Sequence, residues 1–128
     1  RWSRGLGDVY KRQILVTHDL GVVAESCDRA IVMYCGNIIE TAAIDDLFHK
    51  PQHPYTRGLL DSIPRIREER ITELPIIRGM VPDLLHLPDG CRFADRCPRA
   101  TAECRQDKPV VKIDPVTGNG VACYHPMG

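Results

Sequence analysis

The chain has 128 residues, and its 17 Lys and Arg are balanced by 17 Asp and Glu, so its formal net charge is zero. This balance gives no net field that would attract nucleic acid, and we expect no nucleic-acid partner. No apolar run approaches the roughly 20 residues that a membrane-spanning helix needs. Ten Pro and ten Gly, with only two Phe and one Trp, indicate a loop-rich chain of one small domain or pieces of two.

The first twelve residues, RWSRGLGDVYKR, carry four basic groups and one acid. They follow neither a helical nor an alternating pattern, and they lack the apolar core of a secretory signal peptide. We interpret residues 1–12 as a non-native or disordered leader and leave them out of the fold prediction.

An apolar run, Ile-Leu-Val at residues 14–16, predicts a short buried strand. It ends in the polar segment Thr17-His18-Asp19. Because ligands of open α/β sheets bind beyond the carboxyl ends of the strands, His18 is a candidate functional residue. A lone histidine at such a place more often caps the next helix or fills a surface turn, so the residues that follow must decide between these roles.

A helix and a β-hairpin are predicted next. Asp19 is a favourable N-cap for an amphipathic helix over residues 20–27. Residues 30–34 and 38–40 predict two strands, and a turn at residues 35–37 with a Gly-Asn pair joins them.

This segment closely resembles the end of the nucleotide-binding domain of ABC-transporter ATPases. The matching stretches are LVTHDL, DRAIVMY and GNIIE, within residues 15–40. In that family the histidine after the strand approaches the γ-phosphate of ATP, so the resemblance implies that His18 is catalytic and contacts ATP. An imidazole there can donate a hydrogen bond to a phosphoryl oxygen and help to orient the attacking water. The resemblance also implies ATP and Mg²⁺ as cofactors of the full-length protein.

The 128 residues carry only part of such a site. They contain no G-x-x-x-x-G-K-[ST] loop, no LSGGQ-like segment and no paired acid after an apolar strand. We therefore expect residues 13–50 to form the C-terminal part of an ABC ATPase domain, and we expect this fragment to be inactive alone.

Two helices are predicted after the hairpin, over residues 41–50 and 52–64, each bounded by proline. His53 and Tyr55 fit packing and capping better than catalysis. The buried stripe of the second helix is predicted to consist of Tyr55, Leu59 and Ile63. The charged run at residues 65–70 is interpreted as a solvated linker or the end of the helix.

The sequence HKPQHPYTRGLLDSIP, from His49 to Pro64, is similar to the start of the C-terminal extension of oligopeptide/dipeptide-type ABC ATPases. Residues 51–128 would then be this extension. The resemblance implies membrane permease subunits and a second ABC ATPase subunit, homologous or identical, as partners, with a solute-binding protein involved only indirectly. It also implies a peripheral location at the cytoplasmic face of the inner membrane.

Four cysteines follow in the pattern Cys91-x5-Cys97-x6-Cys104-x18-Cys123. Disulfides are one explanation, but nothing in the chain indicates an oxidising compartment. Zinc sites usually contain C-x2–4-C pairs, which this stretch lacks. An iron–sulfur cluster needs four thiolates that converge from loops. The spacing alone leaves the type of metal open.

The stretch GCRFADRCPRATAEC, with ACYH near the end, resembles the cysteine motif of peptide-transporter ATPases, some of which hold a [4Fe–4S] cluster. The resemblance implies that the cluster ligands are Cys91, Cys97, Cys104 and Cys123, with zinc as the alternative metal. Three basic residues would lie near the sulfurs, namely Arg92, Arg96 and Arg99. His125 is a weaker candidate ligand. Because this loop-rich tail has few large apolar side chains, the metal would act as a structural staple.

The sequence thus predicts an α/β fold: a C-terminal piece of a P-loop ABC ATPase domain (strand, short helix, β-hairpin, helices) followed by a loop-rich, metal-stapled extension. The predicted function is that of a fragment of the ATP-binding subunit of an ABC importer for di-/oligopeptides or related solutes, which couples ATP hydrolysis to transport. The alternative is a stand-alone iron–sulfur or zinc-binding module with a redox or adaptor role, which would not need the segment around His18.

Overall fold

The structure is a computed structural model that describes residues 13–63 and 76–127. The predicted leader at residues 1–12 and the charged linker at residues 65–70 lie outside the described residues. In chain order the elements are α1 (Leu20–Ser26), β1 (Arg29–Tyr34), β2 (Asn37–Ala43), α2 (Ile44–His49), α3 (Pro54–Asp61), a 3-10 helix (Ala94–Arg96), α4 (Ala102–Gln106), β3 (Lys112–Ile113) and β4 (Gly120–Val121).

The predicted strand at residues 14–16 is wrong. These residues have no regular structure, and no strand of the described ranges pairs with them. Ile14 and Val16 are 97% and 93% exposed. A strand requires a neighbour for its backbone N–H and C=O groups, and without one the apolar run stays open to solvent.

Helix α1 begins where the sequence predicts, because Asp19 caps it. The Asp19 carboxylate accepts hydrogen bonds from the backbone N–H groups of Gly21 at 2.9 Å and Val22 at 3.1 Å. None of the helix residues is buried. The cap is therefore its main stabilising contact among the described residues.

Strands β1 and β2 form the predicted hairpin, and its turn consists of Cys35 and Gly36. Their φ angles are 45° and 77°, and positive φ at both central residues is the mark of a type I′ turn. The predicted position of the turn is confirmed. The Gly-Asn pair does not form it, however, because Asn37 already pairs with Tyr34 across the hairpin.

The sheet has four antiparallel strands in the order β1-β2-β4-β3, so it joins the hairpin to the end of the chain. Strand β4 pairs with β2 through Glu40 opposite Val121 and Thr41 opposite Gly120. Strand β2 also includes residues 41–43, which the sequence assigns to a helix, because these residues pair with residues 29–31 of β1. The α/β class is confirmed. No helix in the described part is long and apolar enough to cross a membrane.

Helix α3 is confirmed, with Pro54 at its start, but its predicted buried stripe is wrong. The buried residues are Pro54, Thr56 and Leu60, whereas the predicted ones are only partly buried. The buried face is thus offset from the predicted one, and the Tyr55 ring packs against the hairpin, with its centroid 4.7 Å from that of Tyr34 and an interplanar angle of 56°.

The core is a small aromatic cluster that joins three parts of the chain. Tyr34 of β1, Ile39 of β2 and Phe93 of the cysteine segment are buried together. Tyr34 and Tyr55 each lie 5.4 Å from Phe93, measured between ring centroids. Edge-to-face pairs at such distances are favourable, so this cluster fixes the cysteine segment against the hairpin and α3.

Candidate functional site

One pocket brings the four predicted metal ligands together. We call it the cysteine pocket: it is lined by Cys91, Cys97, Cys104 and Cys123, with His53 and Phe93 among its other walls. These four cysteines come from three separate parts of the tail. Their convergence is the property that a thiolate-ligated metal site requires.

Backbone hydrogen bonds hold these parts in place. The N–H of Cys91 donates to the carbonyl of Cys104 in α4 at 2.7 Å. The N–H of Cys97 donates to the carbonyl of Ala94 at 3.2 Å, at the end of the 3-10 helix. Ala122, next to Cys123, donates its N–H to Ile39 of β2 at 2.8 Å. The sheet therefore holds Cys123 in place, and α4 holds Cys91.

Burial raises the pKa of the thiols of Cys91, Cys97 and Cys123 above the ordinary thiol value. Neighbouring cysteines of the pocket raise each of these pKa values further, because two thiolates at close range repel each other. A bound cation would remove this penalty, since metal binding replaces the thiol protons.

Hydrogen bonds from the backbone to sulfur have the opposite effect on these pKa values. The thiol of each of these three cysteines accepts a hydrogen bond from the backbone N–H two residues later, which lowers the pKa of the thiol. The donors to Cys91, Cys97 and Cys123 are Phe93, Arg99 and His125, respectively. An N–H group directed at sulfur stabilises the thiolate form. The pocket thus gathers four thiols, three of which receive a backbone hydrogen bond.

The predicted basic surroundings are only partly correct. Arg99 lines the cysteine pocket and lowers the pKa of Cys97. The guanidinium of Arg92 instead donates to the carbonyl of Cys35 in the hairpin turn. That of Arg96 donates to the Tyr34 hydroxyl at 3.2 Å. These two arginines bind the hairpin because backbone and hydroxyl oxygens are within their reach.

His125 also lines the cysteine pocket, and its Nε2 lies 2.9 Å from the hydroxyl oxygen of Thr101. The same hydroxyl lies 3.5 Å from the sulfur of Cys104. Thr101 therefore holds the imidazole in place beside the thiols.

His53 is the pocket residue that sequence reasoning missed. Its capping role is confirmed, because its Nδ1 accepts the backbone N–H of Tyr55 at 3.0 Å at the start of α3. The side chain is also almost fully buried, and burial lowers its pKa to about 4. The sequence gives one usable signal: a polar side chain directly before a Pro-led helix folds back over the helix start.

Glu40 was not predicted as a site residue either. It is only 1% exposed, and its carboxylate accepts the backbone N–H groups of Gln52 at 2.6 Å and His53 at 2.9 Å. A buried carboxylate requires such donors. Glu40 thus connects the sheet to the start of α3, next to the cysteine pocket.

The described cysteines are all free thiols. Within residues 13–63 and 76–127, no group of three or more His, Cys, Asp or Glu side chains is arranged to hold a metal ion. The four thiols therefore surround a shared pocket without the close spacing of ligands on one ion.

His18 lies apart from the cysteine pocket, in the exposed segment before α1. The N–H of Asp19 donates to the hydroxyl of Thr17 at 3.0 Å, so a local turn presents the intervening histidine. Its side chain is exposed rather than packed among aliphatic neighbours. The ring is thus accessible to a ligand.

Comparison with known proteins finds a family match in the middle of the chain. Residues 39–104 match the family described as the C-terminal region of oligopeptide/dipeptide transporters. The chain is 52% identical over 111 residues to the oligopeptide transport ATP-binding protein AppD of Bacillus subtilis, covering 87% of this chain and 33% of AppD.

Two further relatives give the same result. The probable peptide ABC transporter ATP-binding protein y4tR of Sinorhizobium fredii is 51% identical, over 87% of this chain and 33% of the relative. The oligopeptide transport ATP-binding protein OppD of Salmonella typhimurium is 44% identical, over 89% and 33%. The chain thus spans about a third of the length of these relatives. Since the family match covers more than half of its 128 residues, the chain belongs to the oligopeptide/dipeptide transporter C-terminal region family.

Proposed function

We propose that the chain is the C-terminal part of the ATP-binding subunit of an ABC importer for di- or oligopeptides or related solutes, which couples ATP hydrolysis to transport. The observation that carries this proposal is the family match over residues 39–104. The names of the relatives, which are peptide-transport ATP-binding proteins, support it. The 128 residues lack a phosphate-binding loop, so this part alone would not hydrolyse ATP.

In the complete subunit, His18 would face the γ-phosphate of ATP. Its exposed side chain in the turn before α1 is compatible with this role. The imidazole would donate a hydrogen bond to a phosphoryl oxygen and orient the attacking water. ATP and Mg²⁺ would be bound mainly by parts of the subunit that these residues do not include.

The proposed partners follow from the same assignment. The subunit would bind membrane permease subunits and a second, homologous or identical ATP-binding subunit, at the cytoplasmic face of the inner membrane. A solute-binding protein would act only indirectly. Residues 13–50 would belong to the ATPase domain and residues 51–128 to its extension, although one sheet joins the two.

The ATPase role is tested in a complete subunit that carries residues 13–128 of this chain in place of the matching part of a relative. H18A should lower ATP turnover about 100-fold, because removal of one transition-state donor has an effect of this size. H86A is the matched control, since His86 is exposed and its contact is with Asp83, at 2.9 Å. Turnover by H18A equal to that of H86A would contradict the proposal.

We further propose that Cys91, Cys97, Cys104 and Cys123 hold a [4Fe–4S] cluster in the cysteine pocket, with zinc as the alternative. The support is the shared pocket and the hydrogen bonds at three of its thiols. In a four-iron cluster each thiolate binds a different iron, so the ligands surround a wider space than those of one zinc ion. Bound, the cluster would supply cross-links between the loops of the tail and a one-electron redox centre.

The metal assignment is tested by anaerobic reconstitution of the chain with iron and sulfide. The product should be brown and contain four iron atoms per chain. C97S should bleach it, whereas C27S should not, because Cys27 follows α1 and does not line the cysteine pocket. A colourless protein with stoichiometric zinc would favour the alternative of a zinc-binding module.

A further inference from the structure

His53 contributes a buried imidazole to the wall of the cysteine pocket. Its side chain is 1% exposed, and the four cysteines line the same pocket. A polar group this deeply buried normally makes hydrogen bonds with all its polar atoms. Among the residues that the structure describes, a hydrogen-bond partner is found for only one of the two ring nitrogens of His53.

The nitrogen with a partner is Nδ1. It accepts the backbone N–H of Tyr55 at 3.0 Å, so Nδ1 carries no proton. In the neutral imidazole the proton then resides on Nε2, which is a donor. No hydrogen bond from Nε2 is found to any residue that the structure describes.

The orientation of the ring is fixed from three sides. The N–H of His53 donates to the buried carboxylate of Glu40 at 2.9 Å, which holds the backbone. Pro54 follows directly and starts α3. The ring lies 5.8 Å from that of Phe93, between centroids, at an interplanar angle of 57°. A donor held in this way is preorganised for a ligand of the pocket.

We infer that the Nε2–H of His53 donates a hydrogen bond to sulfur in the cysteine pocket, on a cysteine thiolate or on an inorganic sulfide of the bound cluster. This inference rests on the proposed cluster. His53 would thus position the cluster and adjust its reduction potential. It is not an iron ligand, and it contacts only sulfur.

The other polar side chains of the pocket do not duplicate this role. The Nε2 of His125 is engaged by the Thr101 hydroxyl at 2.9 Å. Arg99 is exposed, so water screens its charge. His53 is therefore the buried neutral donor of the pocket. Hydrogen bonds to cluster sulfurs favour the more negative, reduced state and raise the reduction potential.

The test uses the whole 128-residue chain, labelled with histidine that carries ¹⁵N only in its ring, reconstituted anaerobically with iron and sulfide and reduced by one electron with dithionite. Pulsed EPR of the wild-type cluster should detect a weakly coupled histidine ¹⁵N and an exchangeable proton that D₂O replaces. H53N should lose the ring ¹⁵N coupling, whereas the exchangeable backbone protons that Phe93, Arg99 and His125 direct at the thiols should remain. Asn is chosen because its side-chain oxygen can still cap α3 while the Nε2–H is removed.

Two matched variants complete the experiment. H125N removes the other histidine of the pocket, and H86N removes an exposed one outside it; both should keep the ¹⁵N coupling. H53N should also shift the reduction equilibrium about tenfold toward the oxidised cluster, which equals about 59 mV for a one-electron couple. H125N and H86N should not shift it in this way.

The possible outcomes distinguish a failure of the inferred role of His53 from a failure of the proposed cluster. A loaded wild-type chain without the ¹⁵N coupling, or a coupling that H125N abolishes, would overturn the role of His53 and leave the cluster in place. A wild-type chain that takes up no cluster would overturn both. If H53N does not fold, the wild-type and H125N spectra still decide the inference.

Discussion

At the scale of single residues, Glu40 is the least expected feature of the molecule. It lies in strand β2, is 1% exposed, and forms no ion pair within the described ranges. Its two carboxylate oxygens accept one backbone N–H each, from Gln52 and His53. Backbone donors can stabilise a buried carboxylate when their geometry is good, and here they also fix the start of α3.

We predict that E40A destabilises the chain by roughly 3 kcal/mol, because two buried N–H groups lose a charged acceptor. Urea denaturation of the metal-free chain measures this change in the free energy of unfolding. E25A is the control, since Glu25 is exposed in α1, and it should change the free energy by less than about 0.5 kcal/mol. An E40A midpoint equal to that of E25A would contradict this role of Glu40.

His53 gives the metal-free chain a pH dependence of known sign. Burial lowers its pKa to about 4 in the folded chain, whereas an unfolded histidine has a pKa of about 6.5. The unfolded state therefore binds more protons between these values, so the stabilising contribution is present above pH 6.5 and is lost as the pH falls toward 4.

We predict a loss of roughly 3 kcal/mol of stability over this range. The measurement is the difference between wild-type and H53N unfolding free energies at several pH values, which removes the shared titration of carboxylates. The same difference for H86N should not change with pH in this range. Parallel curves for wild type and H53N would show that His53 does not carry the effect.

At the scale of elements, the cysteine pocket depends on a close approach between the Cys91 segment and α4. A Cβ on the buried Gly90 would lie 2.5 Å from the carbonyl oxygen of Cys104 and 2.7 Å from the backbone of Arg105. These are backbone atoms, so they cannot rotate away. The absence of a side chain at this glycine lets the two segments form the 2.7 Å hydrogen bond from Cys91 to Cys104.

We predict that G90A separates these two segments, destabilises the metal-free chain by about 1–3 kcal/mol and speeds the loss of iron several-fold. The half-life of the cluster absorbance in excess chelator measures the second effect. G21A is the control, because the new Cβ would meet only the Asp19 carboxylate, at 3.2 Å, in exposed α1. Iron loss from G90A at the rate of G21A would count against the close approach.

The elements that the sequence predicts correctly are those with local causes. The Asp19 cap, the proline at the start of α3 and the hairpin turn each depend on a few neighbouring residues. The failures depend on pairing partners outside the segment itself. Residues 14–16 have the composition of a strand but no paired strand in the described part, and residues 41–43 join β2 because they pair with residues 29–31 of β1.

At the scale of the whole molecule, the same distinction applies to the site. The four cysteines are recognisable from their spacing and from the motif around them, and the structure places them around one pocket. Their neighbours are not recognisable in this way, because His53 lies at the pocket by packing against Phe93, and Glu40 by accepting the N–H of His53. Contacts between residues so distant in sequence leave no periodic signal that a single chain reveals.

The elements around the pocket are too short to be stable alone. Helix α4 has five residues, and strands β3 and β4 have two each. Isolated helices of this length are not stable, and two-stranded hairpins are marginal in water. A cluster bound by four thiolates would join the loop at Cys91, α4 and the segment after β4, and so supply the cohesion that these elements lack.

Removal of the iron should therefore loosen the tail and leave the remote helix unchanged. We expect a lower Tm and at least tenfold faster hydrogen exchange at the amides of Cys91 and Ala122, whose acceptors are Cys104 and Ile39. The amides of α1, such as the N–H of Cys27 that donates to Val23, should exchange at the same rate with and without iron, because none of the residues of α1 is buried. Hydrogen exchange is measured by mass spectrometry in the loaded and in the iron-free chain, and each sample reports on the tail and on α1 together. Equal exchange of the tail in the two forms would mean that the aromatic cluster and the sheet hold it without metal, and the structural role of the cluster would fail.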